Sequence, residues 1–516
     1  MRSKRLGMLG LLSVFLLAGL MSTANLEARD LKAEVIYMNL RDVADWDPAW
    51  ASDREAIKDT NVYETLLRYN SPGSKDPFTP TLATSWDVTP DGQTWTFHLR
   101  KGVKFHDGEP FNAAAVKYSI ERNIKEKKAS YFIWDPLKEI KIIDDYTVQF
   151  ICKYPAAIDL ISTSNCSAWI YSPKGTHDWF MQGNGAGTGP YKVQKWEKDQ
   201  QVILTKNDSY WGGWKGNHFE RVIIKAVAEK ATQIQMMKSG EADFASDIPV
   251  DSLAELKRSP GVEVLTPPSW KNLYFLINTK KFPTDNLKVR QAICYAWDYD
   301  TVANSIYNGL AEVAQGPVPK TMWGHNPNVP QYKFDLAKAK MLIEESGIPK
   351  DKIKFRLAYT AEDQERKSCA ELLQANLKKI GIDMELTPGQ FNVLWDQAKK
   401  LETAANINVL RWWPSYPTPV DWLYGIFEST QVSSYNMSHY ANPKVDSLIK
   451  TGMELEGKDR QAAIKAYQEV QKTLVEDAVA IFAGDLRDIV PKAKSIKGYV
   501  YNPGYNSPFF YELYRE

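Results

Sequence analysis

Cysteine is scarce in this chain, four among 516 residues, which excludes a small disulfide scaffold. Formal charge is almost balanced at +1, so neither nucleic acid nor an anionic membrane surface is indicated as a partner. Beyond residue 20 no apolar run is long enough to cross a bilayer, and there is no internal repeat or low-complexity tract. The six histidines, His98, His106, His177, His218, His325 and His439, show no HExxH or other close metal spacing. GNGAGTG, from Gly183 to Gly189, is neither a GxGxxG nor a P-loop, because no lysine–serine pair follows it. No GxSxG elbow is present, and no cysteine has a suggestive histidine beside it. With 63 acidic residues, chance carboxylate pairs say nothing about glycosidase chemistry. The chain is therefore expected not to be an enzyme and to need no cofactor or metal.

What is present begins at the amino terminus. Arg2, Lys4 and Arg5 precede an apolar run from Leu6 to Leu20, followed by small residues at Ser22, Ala24 and Ala28; this is the plan of a secretory signal peptide. Cleavage after Ala24 or Ala28 fits; the latter removes three basic residues and one acidic one and takes the formal charge from +1 to −1. No cysteine lies near the cleavage region to accept a lipid, so a soluble periplasmic protein is expected. At 44% hydrophobic and 25% charged, the chain is globular and long enough for two or three domains. Aromatic residues make up 12%, including 17 tryptophans, more than a core requires, and binding surfaces use such rings as rigid contact area.

Two readings of Cys152 stand side by side. YTVQFIC places it on the apolar face with Val148 and Phe150, as a small buried thiol. In an exported chain it could instead bridge to Cys166, closing a short loop worth ~3 kcal/mol in the chain-entropy model. Cys294 and Cys369 fall in two predicted helices.

The most specific stretch runs from Thr81 to Arg122. Trp95, Phe97 and Leu99 alternate with polar residues as in a half-buried strand, Asp91-Gly92 and Lys101-Gly102 are turns, and Val103 and Phe105 alternate again. Asn112 then caps a helix with Ala113, Val116 and Ile120 on one face. This order of elements resembles the signature region of the family 5 extracellular solute-binding proteins. The resemblance continues through Ala33–Trp50 as first strand and pocket loop, Asn61–Asn70 as first helix, GTGPY at Gly187–Tyr191, YWGG at Tyr210–Gly213, and Asn272–Asp298 as the crossover into a second lobe.

The resemblance implies an α/β, two-lobed periplasmic-binding-protein fold, class II and cluster C, with an extra subdomain in the first lobe and a ligand cleft at the hinge. The expected divisions are a signal peptide (1–28), the first lobe (29–75, continued at 185–271), its extra subdomain (76–184), the second lobe (272–485) and a return to the first lobe (486–516). In the second lobe Asp335 and Asn442-Pro443 open predicted helices, Glu371–Gly381 is an amphipathic helix, and Ile464, Tyr467, Val470 and Leu474 recur at helical spacing. Two lobes joined by two crossings make a hinge, and a ligand touching both lobes favours the closed form. The implied function is capture of a peptide-like or other small polar solute for an ABC permease and ATPase complex at the inner membrane, by a monomer. An oligosaccharide or opine binder of the same family is the alternative; a secreted hydrolase, or a periplasmic sensor or chaperone, is a rival from another class.

The candidate binding segment is NVLRWWPSYPTPVDWLYGIFES, Asn408–Ser429. Trp412 matches a ligand-facing tryptophan of the peptide binders, but Ser415 occupies the position of the carboxylate that pairs with a peptide amino terminus. A hydroxyl does not replace that counter-charge, so free-amine peptides are disfavoured. Asp421, six residues on, is expected to lie elsewhere. Trp412, Trp413 and Tyr416 form an expected aromatic platform, unless Trp413 and Tyr416 pack between strand and helix. Arg411 is a candidate for an anionic group, and Asn39, Tyr359 and Gln390 are candidates at predicted strand ends.

Overall fold

The computed structural model describes residues 29–50, 60–505 and 507–516. The expected signal peptide at 1–28 lies outside the described residues. Three main sheets organise the rest.

The first lobe is built on a seven-stranded sheet. Its strand Glu34–Asn39 runs parallel to Arg221–Ala226 on one side and Phe244–Ala245 on the other, so Asn39, Ala226 and Ala245 end at one edge. The second lobe has a six-stranded sheet in which Lys354–Thr360 runs parallel to Asp383–Gly389 and Ile407–Trp412. Both faces of that sheet are covered. Leu273, Phe275 and Val409 enter one apolar core, and Tyr274, Leu276 and Leu410 enter another, as period-2 alternation requires.

Two crossings join the lobes. Val262–Leu265 of the first sheet leads into Pro268–Ile277 of the second, and Ala480–Arg487 leads back into Val490–Ala493. They run side by side: Asp488 N donates to Pro267 O (3.0 Å), and Arg487 Nη1 donates to Thr266 O (2.9 Å). Asp488 also pairs with Lys271 at 2.7 Å and accepts from Tyr501 Oη at 2.7 Å.

The extra subdomain is an antiparallel four-stranded sheet, Ala83–Val88, Thr94–Leu99, Thr147–Cys152 and Leu137–Asp144, covered by the helix Ala113–Glu126. Trp95, Phe97 and Leu99 are buried, and Asn112 Oδ1 caps the helix by accepting from Ala115 N at 3.1 Å. Cys152 shares this core with Phe150 and Val148. The bridge to Cys166 is not formed: all four cysteines are buried outside any disulfide, and the Cys166 thiol lies against Asn165 Oδ1 at 3.3 Å. Burial pushes the Cys152 thiol up to about 12, so the fold uses it as an apolar group.

One predicted helix is corrected. In Asn61–Asn70 only the first residues are helical; Glu64 bridges to Ile170, and Leu67–Tyr69 is a strand paired with Phe78–Pro80. The reason is a buried knot. The Glu64 carboxylate accepts from Thr188 Oγ1 (2.8 Å), Tyr210 Oη (2.9 Å) and Trp211 Nε1 (2.7 Å), tying the 61–70, GTGPY and YWGG stretches together. A side chain at Gly187 would place its Cβ 1.9 Å from Val62 O, so only glycine permits this approach.

Candidate functional site

In open α/β sheets a ligand finds its crevice outside the carboxyl ends of parallel strands. Here two such edges exist, one per lobe, joined by the paired crossings. Asn39 and Ser246 lie at the first edge; Thr360, Gly389 and Trp412 lie at the second.

On the second edge the sequence alternates as a strand up to Trp412 and then leaves it. Trp412 is half-buried, edge-on to Tyr435 at 4.8 Å, and its indole N–H has no hydrogen-bond partner among the described residues. Tyr435 stacks in turn on Trp395 (5.2 Å), which stacks on Phe391 (6.4 Å). This aromatic ladder was missed from sequence. Its only local signal is Phe391 and Trp395 one helical turn apart just after the strand end Gly389. Trp413 is 40% exposed, which leaves its ring open to a ligand.

Arg411 turns to the other face of the strand. Its Nη2 lies 3.2 Å from Asp363 Oδ2, the same oxygen that Arg366 Nε approaches at 3.0 Å. Asp363 Oδ1 is already used as the cap of the helix Gln364–Lys379, accepting from Arg366 N at 2.9 Å. Two guanidiniums thus share one carboxylate oxygen at a helix amino terminus. Burial and the neighbouring Arg411 charge both lower the Arg366 pKa.

Ser415 and Asp421 meet directly, against the expectation from their spacing. Helix Val420–Phe427 begins just after Pro419, and Asp421 in its first turn accepts from the Ser415 backbone N–H, the Ser415 hydroxyl and the Tyr416 backbone N–H. Burial raises the Asp421 pKa to about 6 despite these bonds. The carboxylate is therefore close to the amine-clamp position but committed to the loop's own donors. The Tyr416 ring packs on the core of the extra subdomain, not in an open platform.

The remaining candidates separate. Asn39 Oδ1 accepts from Ser246 Oγ at 3.3 Å, at the first edge. Gln390 is exposed at the second edge and makes no capping bond. Tyr359 is turned into the core with Cys369 and Leu373, 5% exposed, so it is not available at the surface of the cleft. A cavity of about 490 Å³ lies within the first lobe, beside Glu64, Arg68, Trp211 and Phe509, and not between the two edges. Thr65, Thr81 and Ser71 in its wall donate to backbone carbonyls, so their protons are already engaged. Among the described residues no group of three His, Cys, Asp or Glu side chains is placed to hold a metal, and no helix is long and apolar enough to cross a membrane.

Comparison with known proteins places this geometry. Residues 77–434 match the family described as bacterial extracellular solute-binding proteins, family 5 Middle. The chain is 31% identical over 451 residues, 86% of each chain, to the probable D,D-dipeptide-binding periplasmic protein DdpA of Escherichia coli K12. It is 28% identical to heme-binding protein A of Haemophilus influenzae, covering 94% of this chain and 93% of that one. Among solved structures, HbpA2 of Haemophilus parasuis superposes with a TM-score of 0.81 at 26% identity, over 94% of this chain and 100% of the other. The periplasmic binding protein DppA of Helicobacter pylori, in complex with the peptide STSA, gives a TM-score of 0.78 at 27% identity, over 94% and 98%.

Proposed function

Because the chain belongs to the bacterial extracellular solute-binding proteins of family 5, we propose that it captures a small polar, peptide-like solute in its hinge cleft. It then delivers that solute, in the periplasm, to the permease and ATPase of an ABC importer. The family is one of binding rather than catalysis, and a hinge needs only differential affinity to work. The observation that carries the reading is the pair of strand-end edges, one in each lobe, joined by two adjacent crossings. Trp413 supplies an open aromatic face, Trp412 the wall behind it, Arg411 a cation for an anionic ligand group, and Asn39 and Gln390 polar contacts from opposite lobes.

One relative is named for dipeptide binding and another for heme binding. For this chain, the Ser415 substitution and the engagement of Asp421 favour a ligand without a free ammonium at that position. The same observation supports a second reading, a sugar or opine stacked on Trp413. Native mass spectrometry of purified protein tests both readings. One small molecule retained per chain is expected, and its mass and charge assign the class. A chain that retains nothing, and binds nothing from a periplasmic extract, would remove the binding function.

A further inference from the structure

The extra subdomain is anchored to the first lobe by buried groups. Arg122 of its helix donates to Asp47 Oδ1 at 2.6 Å, the backbone N–H of His106 donates to Gly187 O at 2.8 Å, and His106 Nε2 lies 2.9 Å from Gly189 O. It therefore travels with the first lobe when the hinge opens. Yet the subdomain also touches the second lobe. Ser164 Oγ donates to Ser415 O at 2.8 Å. Arg460 Nη2 pairs with both oxygens of Asp159, at 3.0 and 3.2 Å. Tyr416 packs against the subdomain core. At Gly457 the backbones come so close that an added Cβ would lie 2.4 Å from Ala156 O.

The geometry points to a closure latch: Gly457, Arg460, the Tyr416 ring and the Ser415 backbone carbonyl of the second lobe dock on Asp159, Ser164 and Ala156 of the extra subdomain and hold the cleft shut by contacts beside it. This rests on the hinge-closure reading above. Asp159, Ser164, Gly457 and Arg460 lie outside the strand ends that form the cleft edges. Arg460 is preset for its partner: its guanidinium lies 5.6 Å from the Trp323 ring centroid, and Trp323 Nε1 is held by Pro417 O at 2.8 Å. The loop 413–418 thus has two ends of different use. Trp413 is exposed and open to a ligand, while the Ser415 carbonyl and the Tyr416 ring are taken up by the subdomain. Because apparent affinity scales with the fraction of competent conformer, the positioning residues Asp159, Gly457 and Arg460 set affinity for every ligand equally and selectivity for none.

Gly457 gives the sharpest test. Its φ of −79° suits any L-residue, so Gly457→Ala is tolerated within its own lobe and obstructs only the docked state. Electron–electron distance measurements use spin labels on Lys138→Cys and Lys450→Cys, exposed positions on the subdomain and second lobe, in ligand-free protein; the native thiols are all buried. A substantial short-distance population is expected in the parent. Gly457→Ala, Arg460→Met and Asp159→Asn should each lower it about threefold with thermal stability preserved, and Arg460→Met with Asp159→Asn together should do no more than either alone. A parent that is wholly open, or short-distance populations unchanged in Gly457→Ala and Asp159→Asn, overturns the latch. Failure of the binding reading is separate: it shows as no retained molecule by mass spectrometry, whatever the distances do.

Discussion

A carboxylate introduced at position 415 would meet one already there. Asp421 accepts from the Ser415 backbone and hydroxyl, and burial already raises its pKa to about 6. Ser415→Asp removes one of those donors and places a like charge beside it, so the two acids should titrate as a pair with one proton retained near neutrality. The expected outcome is a variant whose melting temperature falls more steeply than the parent's between pH 5 and pH 8, with no new affinity for an unblocked dipeptide over its N-acetylated form. Calorimetry on the matched peptides checks the second part; a selective gain for the free amine would show that the loop can reopen to form a clamp. The two tryptophans next to it separate by burial. Trp413, open to solvent, should lose about 2 kcal/mol of ligand affinity on substitution by alanine with almost no change in apo melting temperature. Trp412→Ala should cost both, because its ring packs against Tyr435.

At the scale of elements, the helices and strands that position the site are those with strong periodicity and caps. Asp335 and Asn442 cap their helices as their positions suggested, and the alternation at 94–99 gives a strand buried on one face. Asn61–Asn70 defeated the same reasoning because a tertiary knot at Glu64 overrides local propensity. The helix end Glu456-Gly457 carries another buried acid. Glu456 Oε1 accepts from Thr418 Oγ1 (2.5 Å) and Tyr467 Oη (3.0 Å), and burial raises its pKa from 4.5 to about 7. The folded state therefore holds this proton more tightly than the unfolded chain. Its contribution to stability is whole below about pH 4.5, declines as pH rises toward about 7, and then levels, a loss of about 3 kcal/mol. Glu456→Gln keeps the Oε1 acceptor and removes the titration. Thermal unfolding should show the variant matching the parent at acid pH and exceeding it at pH 8; equal slopes would place the titration elsewhere.

For the whole molecule, the two-lobed plan came from the family resemblance carried by residues 81–122 and continued at Asn272–Asp298, while periodicity alone supplied individual strands and amphipathic helices. Cross-lobe partners were not legible. Arg460 and Asp159 are 301 residues apart, and nothing local to either marks the other. Nor could spacing show that Asp421 folds back onto Ser415, since that depends on where the helix after Pro419 begins. The consequence is a molecule with two independent contributions to closure, the ligand in the cleft and the contacts beside it. A ligand that bridges both edges adds its differential affinity to whatever closed population the second set already maintains. Small-angle scattering should therefore show the radius of gyration falling when the molecule identified by mass spectrometry is added to saturation. Asp159→Asn, starting more open, should contract by more than the parent and reach the same final radius, while needing a higher ligand concentration to do so. Equal contraction at equal concentration would mean that the ligand alone sets the closed state, and an unchanged radius in both would mean that the hinge does not close on it.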